Sequence, residues 1–457
     1  MDRPVSKLRE AKLEFYRKQG KIHAKAVDGR YNRLRWAMVW LTQIIFYGAC
    51  WLPWDNQGLI RQAVLLDIAH EKLYLFGLVL WPQDALLLAI ALIVAATALF
   101  LVTALAGRLF CGFACPQTVY TMIFTWIEAR VEGDHLARLK LDQRPFDADK
   151  LGRKLLKHGL WLLVVAWTAI TFVGYFTPIR ELLPTLPQWH VGPWEGFWLI
   201  FYATFTYVQA GLAREAVCQH MCPYARFQSV MFDPATKSVS YDRTRGEPRN
   251  SRRRTEQSGD CIDCGICVEV CPTGIDIRDG LQYACINCGL CIDGCDEVMR
   301  KLDTPTGLIR FAPAEAANAP QARPRLAIYL GILAICMTLG GWNLAQRPLV
   351  MADILRDRGA LSRETPDGRI ENSYTLKLMN LAEAPREFAL EVTGAEGLSI
   401  VGPRVFRVEA GSILALPLTL AAPAESRRRG VFPISLSVVD TRHPENRTHE
   451  QTRFILP

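Results

Sequence analysis

The sequence predicts a multi-pass α-helical membrane protein of five spans, with an inserted two-cluster bacterial-type ferredoxin unit of α+β structure and a C-terminal all-β immunoglobulin-like sandwich. Three observations predict this combination. The 457 residues contain five long apolar runs, eight cysteines in two identically spaced groups, and a final segment in which apolar residues recur at every second position. These patterns are typical of membrane helices, iron–sulfur ligands and half-buried strands, respectively.

The five apolar runs are each close to the roughly 20 residues that an α-helix needs to cross a bilayer. Only one of them holds a charged residue, Glu195 at its edge. Buried helices of a large soluble protein are the alternative, and five runs of this length with one charged residue among them disfavour it. The predicted spans are residues 36–54, 85–106, 159–178, 194–213 and 326–345.

The basic residues between the runs predict the orientation of the chain. The first 35 residues hold eleven Lys and Arg and no apolar core, so they are not a secretory signal peptide. The connecting segments alternate, with two basic residues in 55–84, nine in 107–158, one in 179–193 and fifteen in 214–325. Because basic segments stay in the cytoplasm, we expect the N-terminus inside and the C-terminal part outside. Basic residues beside spans also account for the net charge of +8 without a nucleic-acid partner.

Cysteine placement agrees with this orientation. Twelve of the fourteen cysteines fall in segments predicted to be cytoplasmic, and the last 112 residues have none. A secreted disulfide scaffold would show the opposite distribution, so the thiols are expected to be reduced metal ligands. Cys50 and Cys336, inside the runs, are interpreted as small apolar residues.

The predicted domains follow from these patterns. In chain order they are a basic cytoplasmic leader (1–35), a four-span membrane domain with two C-x3-C-P motifs (36–232), a linker (233–257), a dicluster ferredoxin domain (258–300), a second linker (301–325), the fifth span (326–345) and a periplasmic sandwich (346–457).

The sandwich is predicted from strict alternation of apolar and polar residues in its strands. The alternation is clearest at Leu414, Leu416, Leu418 and Leu420. Gly and Pro residues, which form turns, separate the predicted strands. Cysteine and a core tryptophan are both missing from the pattern, so the similarity to immunoglobulin domains is architectural. The segment shows no catalytic constellation, and we expect a docking module.

The ferredoxin unit is predicted from two runs of the form C-x2-C-x2-C-x3-C, a spacing that wraps three corners of a cubane iron–sulfur cluster. In two-cluster ferredoxins the fourth cysteine of each run serves the other cluster. Zinc is the alternative, but zinc sites use pairs of C-x2-C separated by a longer spacer. The predicted ligands are Cys261, Cys264, Cys267 and Cys295 for cluster one, and Cys285, Cys288, Cys291 and Cys271 for cluster two.

A second cysteine pattern, C-x3-C-P, occurs twice, in "FCGFACP" and "VCQHMCP", each directly after an apolar run. If the chain continues helically there, residues four apart lie on one helix face. The two pairs together would supply four thiolates, enough for a soft metal ion or a third cluster. Helix packing is the alternative for each single cysteine. The candidate site residues, catalytic as well as metal-binding, are Cys111, Cys115, Cys218 and Cys222, with His220 and Met221 as further soft ligands.

These motifs resemble the CcoG/FixG/RdxA family of bacterial accessory proteins for cbb3-type cytochrome c oxidases. "LWPQD" at 80–84, "GYFTPIREL" at 174–182 and "YDRTRGEPR" at 241–249 resemble local signatures of that family. The resemblance covers nearly the whole chain. It implies an iron–sulfur oxidoreductase of the bacterial inner membrane that reduces Cu(II) to Cu(I) before copper is inserted into the oxidase.

The implied cofactors and partners are two 4Fe–4S clusters, copper as substrate or transient ligand, a further metal site at the C-x3-C-P cysteines, copper chaperones or oxidase assembly factors, and an unidentified electron donor. Sulfur ligands favour Cu(I) over Cu(II), which makes reduction at such a site chemically sensible. Two alternatives stay open: an electron-transfer subunit of another respiratory reductase, and a non-redox copper chaperone or assembly scaffold.

Overall fold

The computed structural model describes residues 22–56, 59–249, 258–313, 323–357, 362–382, 384–394, 397–423 and 430–456. The predicted leader therefore lies mostly outside the described residues. The described helices are α1 (Arg30–Ala49), α2 (Ala85–Ala106), α3 (Leu109–Phe113), α4 (Pro116–Val131), α5 (His135–Gln143), α6 (Ala148–Val173), α7 (Ile179–Thr185), α8 (Pro193–Thr206), α9 (Pro223–Met231), α10 (Arg243–Gly246), α11 (Ile266–Glu269), α12 (Leu290–Lys301) and α13 (Pro324–Ala345).

The strands fall into three parts of the chain. The first group is β1 (Pro53–Asn56), β2 (Leu59–Gln62), β3 (Val64–Asp67), β4 (Lys72–Leu75) and β5 (Leu78–Leu80), followed by the pair β6 (Lys237–Tyr241) and β7 (Ile309–Pro313). The third group is β8 (Val350–Arg356), β9 (Arg363–Glu364), β10 (Arg369–Asn380), β11 (Arg386–Thr393), β12 (Ser399–Val401), β13 (Val405–Val408), β14 (Ile413–Pro423), β15 (Gly430–Asp440) and β16 (Arg447–Leu456).

Among the described residues, three helices are long and apolar enough to cross a membrane. They are Pro82–Ala106, Ala148–Val173 and Pro324–Ala345. Very few side chains of the first and third are buried, as expected for lipid-facing helices. The other two predicted runs form α1, which ends at Ala49, and α8. The fold therefore shows a membrane protein with three candidate spans, whereas the full count of five stays a prediction.

The chain forms two compact units. The first comprises Met1–Cys50 with Ile93–Ala334, and the second comprises Trp51–Leu92 with Ile335–Pro457. The second unit thus combines the loop after α1 with the C-terminal domain. Within it, Val79 and Trp81 pack with Met379 and Leu381 in one apolar cluster.

The C-terminal domain is all-β, as predicted. One sheet has the strand order β12-β14-β10-β8, with β9 also paired to β10, and the other has the order β13-β11-β15-β16. The predicted alternation is confirmed in β14, where Leu418 and Leu420 are buried, Leu414 and Leu416 are partly buried, and Ala415 and Pro417 between them are exposed. The hydroxyl of Tyr374 donates to the carbonyl of Arg453 at 2.9 Å and so ties the two sheets together.

The ferredoxin unit is framed by β6 and β7, which pair in antiparallel fashion from Lys237↔Pro313 to Tyr241↔Ile309. The sequence places both strands in linkers, because five residues such as "KSVSY" carry too short an alternation to be recognised. Val239 and Ile309 are buried beside Cys267 and Cys285. The two strands therefore belong to the core around the predicted clusters.

Candidate functional site: two cysteine loops and a pair of C-x3-C-P turns

The two ferredoxin runs fold into the same backbone shape. In the first, Asp263 and Gly265 adopt left-handed conformations with φ of 53° and 73°; in the second, Asn287 and Gly289 do so with φ of 52° and 75°. Gly265 and Gly289 also stand at the N-caps of α11 and α12. Each loop therefore turns tightly around a centre, and each third cysteine lies in the first turn of a helix, whose N-terminal amides favour negative charge.

The four cysteines predicted for cluster one surround a single cavity. Its wall contains Cys261, Cys264, Cys267 and Cys295, together with apolar side chains such as Met299 and Leu308. Cys295 comes from α12, so the remote run supplies the fourth thiol.

A second cavity is lined by the four cysteines predicted for cluster two and by Gly289. These are Cys271, Cys285, Cys288 and Cys291. The hydroxyl of Thr273 lies 3.3 Å from the sulfur of Cys271, where it can donate to a thiolate. Burial raises the pKa of Cys285 to about 12, so an isolated thiol there is neutral and its ionised form requires a positive partner.

Both cavities fit a cubane better than a single ion. Among the described residues, at the C-x3-C-P turns as well as in these two cavities, no three His, Cys, Asp or Glu side chains converge closely enough to chelate one metal ion. A single zinc ion, with Zn–S bonds of about 2.3 Å, draws its thiolates close together. A cubane has an iron at each bound corner and keeps its thiolates farther apart, around a cavity. When bound, such clusters supply one-electron transfer.

The two C-x3-C-P pairs occupy breaks between helices rather than one helix face. Cys111 lies in α3, and Cys115 is the extended N-cap of α4, with φ of −63° and ψ of 128°. Cys218 lies in a π-helical turn (Val217–Met221), and Cys222 is the extended N-cap of α9. The conditional prediction of a continuous helix is therefore wrong, because each proline is the first residue of the next helix and forces an extended conformation on the cysteine before it.

The two turns lie beside each other. Burial raises the pKa of Cys218 to about 12, and Cys115, Cys111 and Cys222 lie close enough that a thiolate on any of them would raise it further. The amide of Gln228 in α9 donates to the sulfur of Cys111 at 3.0 Å. The structure thus brings the four predicted cysteines into one neighbourhood, whereas their role as ligands stays a prediction.

His220 and Met221 lie on the outer side of this neighbourhood. Both belong to the π-helical turn and are exposed, Met221 to 65%. Their part in metal binding stays a prediction.

Gly112, between Cys111 and Cys115, touches the loop that lines the second cavity. A Cβ atom at this position would lie 2.7 Å from the carbonyl oxygen of Ile286 and 3.0 Å from the Cα atom of Cys288. Cys111 packs against the same apolar cluster that includes Cys288. The first C-x3-C-P turn and the cluster-two loop are therefore in direct contact.

Two buried arginines reinforce this contact. Arg108 donates to the carbonyl of Cys285 at 3.2 Å and to the carbonyl of Ala225, in α9, at 2.6 Å. Arg35 donates from Nε to the carbonyl of Gly112 at 3.1 Å. Both guanidinium groups are almost fully buried, with exposures of 5% and 3%. They place positive charge between the two groups of thiols, where it stabilises thiolates.

Sequence analysis did not find Arg35, Arg108 or Gln228. Arg108 follows the second apolar run by two residues and counts there as one of many inner basic residues. Only its neighbours in space distinguish it, and those neighbours come from segments more than one hundred residues away. A glutamine six residues after Cys222 carries no sequence signal for a contact with Cys111.

Comparison with known proteins agrees with this arrangement. Residues 213–314 match a "4Fe-4S dicluster domain", residues 88–132 match a "4Fe-4S binding domain", and residues 340–457 match the "IG-like fold at C-terminal of FixG". The nitrogen fixation protein FixG of Rhizobium meliloti (strain 1021) is 36% identical over 424 residues, which are 83% of this chain and 80% of that protein.

The chain belongs to the FixG/RdxA family. The proteins RdxB and RdxA of Cereibacter sphaeroides are each 38% identical, over 84% of this chain and 84% of their own length. A crystal structure of a FixG-related protein from Vibrio parahaemolyticus is 29% identical, covers 23% of this chain and 95% of its own, and has a TM-score of 0.22. Family membership and the cysteine cavities together make the chain a membrane-bound iron–sulfur electron-transfer protein of this family.

Proposed function

We propose that this protein is a membrane-bound cupric reductase that supplies Cu(I) for the assembly of a cbb3-type cytochrome c oxidase. Cu(II) is the substrate, and one electron converts it to Cu(I). The turns that contain Cys111, Cys115, Cys218 and Cys222 bind the copper, and the eight cysteines of the ferredoxin unit would hold two clusters whose chemistry, when bound, is one-electron transfer.

The chemistry of the four cysteines supports this proposal. Thiolate sulfur prefers Cu(I), whereas Cu(II) prefers nitrogen and oxygen, so a thiolate-rich site makes copper easier to reduce. Burial raises the pKa of Cys111 to about 11, opposed by the amide of Gln228 and by Arg108. The site therefore holds neutral thiols until a cation binds, and copper binding releases protons.

One observation carries the proposal: the close contact at Gly112 between the first C-x3-C-P turn and the loop of the second cavity. A site that receives electrons from a cluster needs such a contact, since electron transfer depends on a short distance. A copper chaperone or assembly scaffold without redox activity has no need of it.

We propose further that the protein resides in the bacterial inner membrane with five spans, a cytoplasmic N-terminus and ferredoxin unit, and a periplasmic C-terminal domain. The pairing of Trp51–Leu92 with Ile335–Pro457 in one compact unit supports this orientation, because the sequence predicts residues 55–84 of the first and 346–457 of the second to lie outside. Copper chaperones or oxidase assembly factors are the partners expected for the β-sandwich.

A second candidate function is favoured by the family match of residues 88–132, a 4Fe–4S binding model that includes Cys111 and Cys115. In that case the four cysteines hold a third cluster, and the protein is an electron-transfer subunit of another respiratory reductase. Such a subunit would be reduced without passing electrons to copper.

The deciding experiment compares two double variants of the purified full chain. Cys218→Ala with Cys222→Ala removes half of the proposed copper site, and Cys50→Ala with Cys336→Ala is the matched control. Chemically reduced protein is mixed with Cu(II) and a Cu(I)-specific chromophore, and iron and acid-labile sulfide are measured in parallel. We expect the first variant to lose copper reduction, with iron content and visible spectrum kept, and the control to keep all three.

Two other outcomes count against the proposal. Retained copper reduction in the Cys218/Cys222 variant would indicate that copper takes electrons directly from the ferredoxin unit. Loss of about four iron atoms per chain together with the activity would indicate a third 4Fe–4S cluster at these cysteines.

A further inference from the structure

Two adjoining cavities in the first unit lie beside the proposed cluster and copper sites and have no role assigned so far. The first, here called the mixed cavity, has a volume of about 230 Å³ and is lined by Arg35, Trp36, Thr121, Arg138 and Cys218, among others. The second, here called the apolar groove, has a volume of about 710 Å³. Together their volumes fall in the range of about 300–1,000 Å³ that is typical of small-molecule sites.

The apolar groove runs along the outer face of the helices. It is lined by α1 from Trp36 to Gly48, by Ile123 and Trp126 of α4, and by α6 from Leu163 to Trp167. Helix α6 is one of the three candidate spans. Apolar side chains at the groove point away from the protein interior; Ile44 is 66% exposed. The groove is therefore suited to a hydrocarbon chain at membrane depth.

The two cavities meet at a pair of tryptophans. Trp36 and Trp126 line both, and their rings are 6.5 Å apart at an interplanar angle of 71°. Such a pair offers one ring face and one ring edge to a planar aromatic guest. A ligand with an aromatic head and an apolar tail would place the head beyond the tryptophans and the tail in the groove.

The mixed cavity contains polar atoms that have no hydrogen-bond partner among the described residues. They are the buried hydroxyl of Thr121 and Nε of Arg138, and Gln43 adds a buried, unpartnered Oε1 on the wall of the groove. Buried polar groups nearly always have partners, so unpartnered ones beside a cavity indicate a missing ligand or water. Both donors and an acceptor are available, as the oxygens of a quinone or quinol require.

Most charged side chains on the wall of the mixed cavity already have protein partners: Lys25 lies 3.5 Å from Glu269, and Glu215 adds a carboxylate that would repel a phosphate. Arg138 and Arg214 line the cavity, but both bind the buried carboxylate of Glu128, at 3.3 Å and 2.6 Å. Arg35 is engaged with the carbonyl of Gly112. Guanidinium groups that are already paired can donate a further hydrogen bond, whereas a phosphate would demand a free cation.

The mixed cavity lies between the two groups of redox thiols. Its wall includes Cys218 on one side and, on the other, Thr273 and Ile286, which flank the cysteines of cluster two. A ligand in this cavity is thus next to the residues that would hold the electron acceptors.

We propose that the mixed cavity and the apolar groove form a binding site for a lipid-soluble quinol, the electron donor of this protein. That Cu(II) is the final electron acceptor rests on the proposed function. One quinol becomes one quinone and releases two protons to water and two electrons, and two Cu(II) ions take up the electrons to give two Cu(I). Thr121 hydrogen-bonds a ring oxygen, and Trp36 and Trp126 hold the ring.

The test uses the full chain with its clusters, in phospholipid nanodiscs, and an azido-substituted decylubiquinone as photolabel. We expect saturable labelling of peptides from α1 and α4, displaced by excess decylubiquinone. Thr121→Val should weaken binding about three- to tenfold, the loss of one hydrogen bond. Thr171→Val is the control, since the hydroxyl of Thr171 donates to the carbonyl of Trp167 and lines neither cavity.

A second pair of variants keeps the test decisive if Thr121→Val fails to fold. Trp126 is 48% exposed and Trp198 is 43% exposed, so leucine should be tolerated at either. Trp126→Leu should reduce labelling, and Trp198→Leu, outside both cavities, should leave it unchanged. Labelling that does not saturate, or that phosphatidylglycerol displaces and decylubiquinone does not, would overturn the proposal and indicate a lipid-binding groove.

The result is separable from the proposed function, because photolabelling requires no copper. Saturable labelling without copper reduction by dithionite-treated protein would contradict the cupric reductase and support the quinol site. Copper reduction by dithionite-treated protein without saturable labelling would support the cupric reductase and contradict the quinol site.

Discussion

At the residue scale, Gly112 controls how closely the two cysteine systems approach. Its missing side chain lets the first C-x3-C-P turn rest on the peptide groups of Ile286 and Cys288. A Cβ atom at Gly112 would clash with backbone atoms of Ile286 and Cys288, which cannot move away by a change of rotamer.

Gly112→Ala is therefore expected to destabilise the folded protein by about 1–3 kcal/mol through overpacking. It should also slow copper reduction, because the two loops must separate. Gly152→Ala is the matched control: it also lies in a helix, with open space around it, and alanine should stabilise that helix by up to about 1 kcal/mol. Thermal unfolding and the initial rate of Cu(I) formation measure both effects. Equal rates in the two variants would show that the contact at Gly112 does not matter for electron delivery.

The sequence predicts the types and spacing of the site residues but not their environment. The eight ferredoxin cysteines are predictable because a local spacing determines which thiols can face one centre. Arg108 and Gln228 are not, because their importance arises from contacts across 177 and 117 residues of chain. A single sequence carries no record of such distances.

At the element scale, the breaks before Pro116 and Pro223 shape the C-x3-C-P turns. Each break ends one helical segment and begins another with proline at its first position, so the preceding cysteine faces the N-terminus of a new helix. The prolines themselves predict this geometry, whereas the π-helical turn at Val217–Met221 has no sequence signal that we recognise. Short strands such as β6 and β7 escape prediction for a related reason, since five residues give at most two repeats of the alternation.

The hairpin of β15 and β16 depends on the carboxylate of Asp440. Its side chain accepts hydrogen bonds from the amide of Arg442 at 2.9 Å and from the guanidinium of Arg386. Burial alone would raise the pKa of Asp440, but these hydrogen bonds outweigh it and hold the pKa below its usual value.

Asp440→Asn should lower the free energy of unfolding of the sandwich by about 1–2 kcal/mol at neutral pH, as expected for hydrogen bonds to a charged group. A depressed pKa contributes stability above the unfolded pKa of about 3.9, and that stability is lost as the pH falls through the folded value. The difference from the wild type should thus be full at neutral pH and shrink in acid. Asp367→Asn, in the exposed turn before β10, is the control. Urea unfolding at several pH values measures both; a difference that grows in acid would contradict the assignment.

At the scale of the whole molecule, the distribution of basic residues and the make-up of the second compact unit both favour a cytoplasmic N-terminus and a periplasmic C-terminal domain. The segments predicted inside carry 35 basic residues, and those predicted outside between spans carry three. The compact unit that joins Trp51–Leu92 to Ile335–Pro457 contains both the loop 55–84 and the domain 346–457, as expected if both lie on one side of the membrane.

Reporter fusions test this orientation directly. A periplasmic reporter should be active when fused after residue 350 and silent when fused near residue 240, and a cytoplasmic reporter should show the opposite. The expected cause is retention of the basic segments in the cytoplasm. Cytoplasmic activity of the fusion at 350 would remove the basis for a periplasmic docking domain.

The joining of the first loop to the C-terminal domain also has a consequence for biosynthesis. The Nζ of Lys72 donates to the carbonyl of Gly411, 339 residues later, and lies 4.6 Å from the ring of Trp81. At about 5–20 residues per second, the ribosome needs roughly 20–70 s to make the chain between Lys72 and its partner. Throughout that interval Val79 and Trp81 lack the apolar surface that later covers them. The newly made loop therefore exposes apolar side chains for most of the chain's synthesis and is a candidate for chaperone binding, and a nascent chain stopped before residue 379 would leave them uncovered.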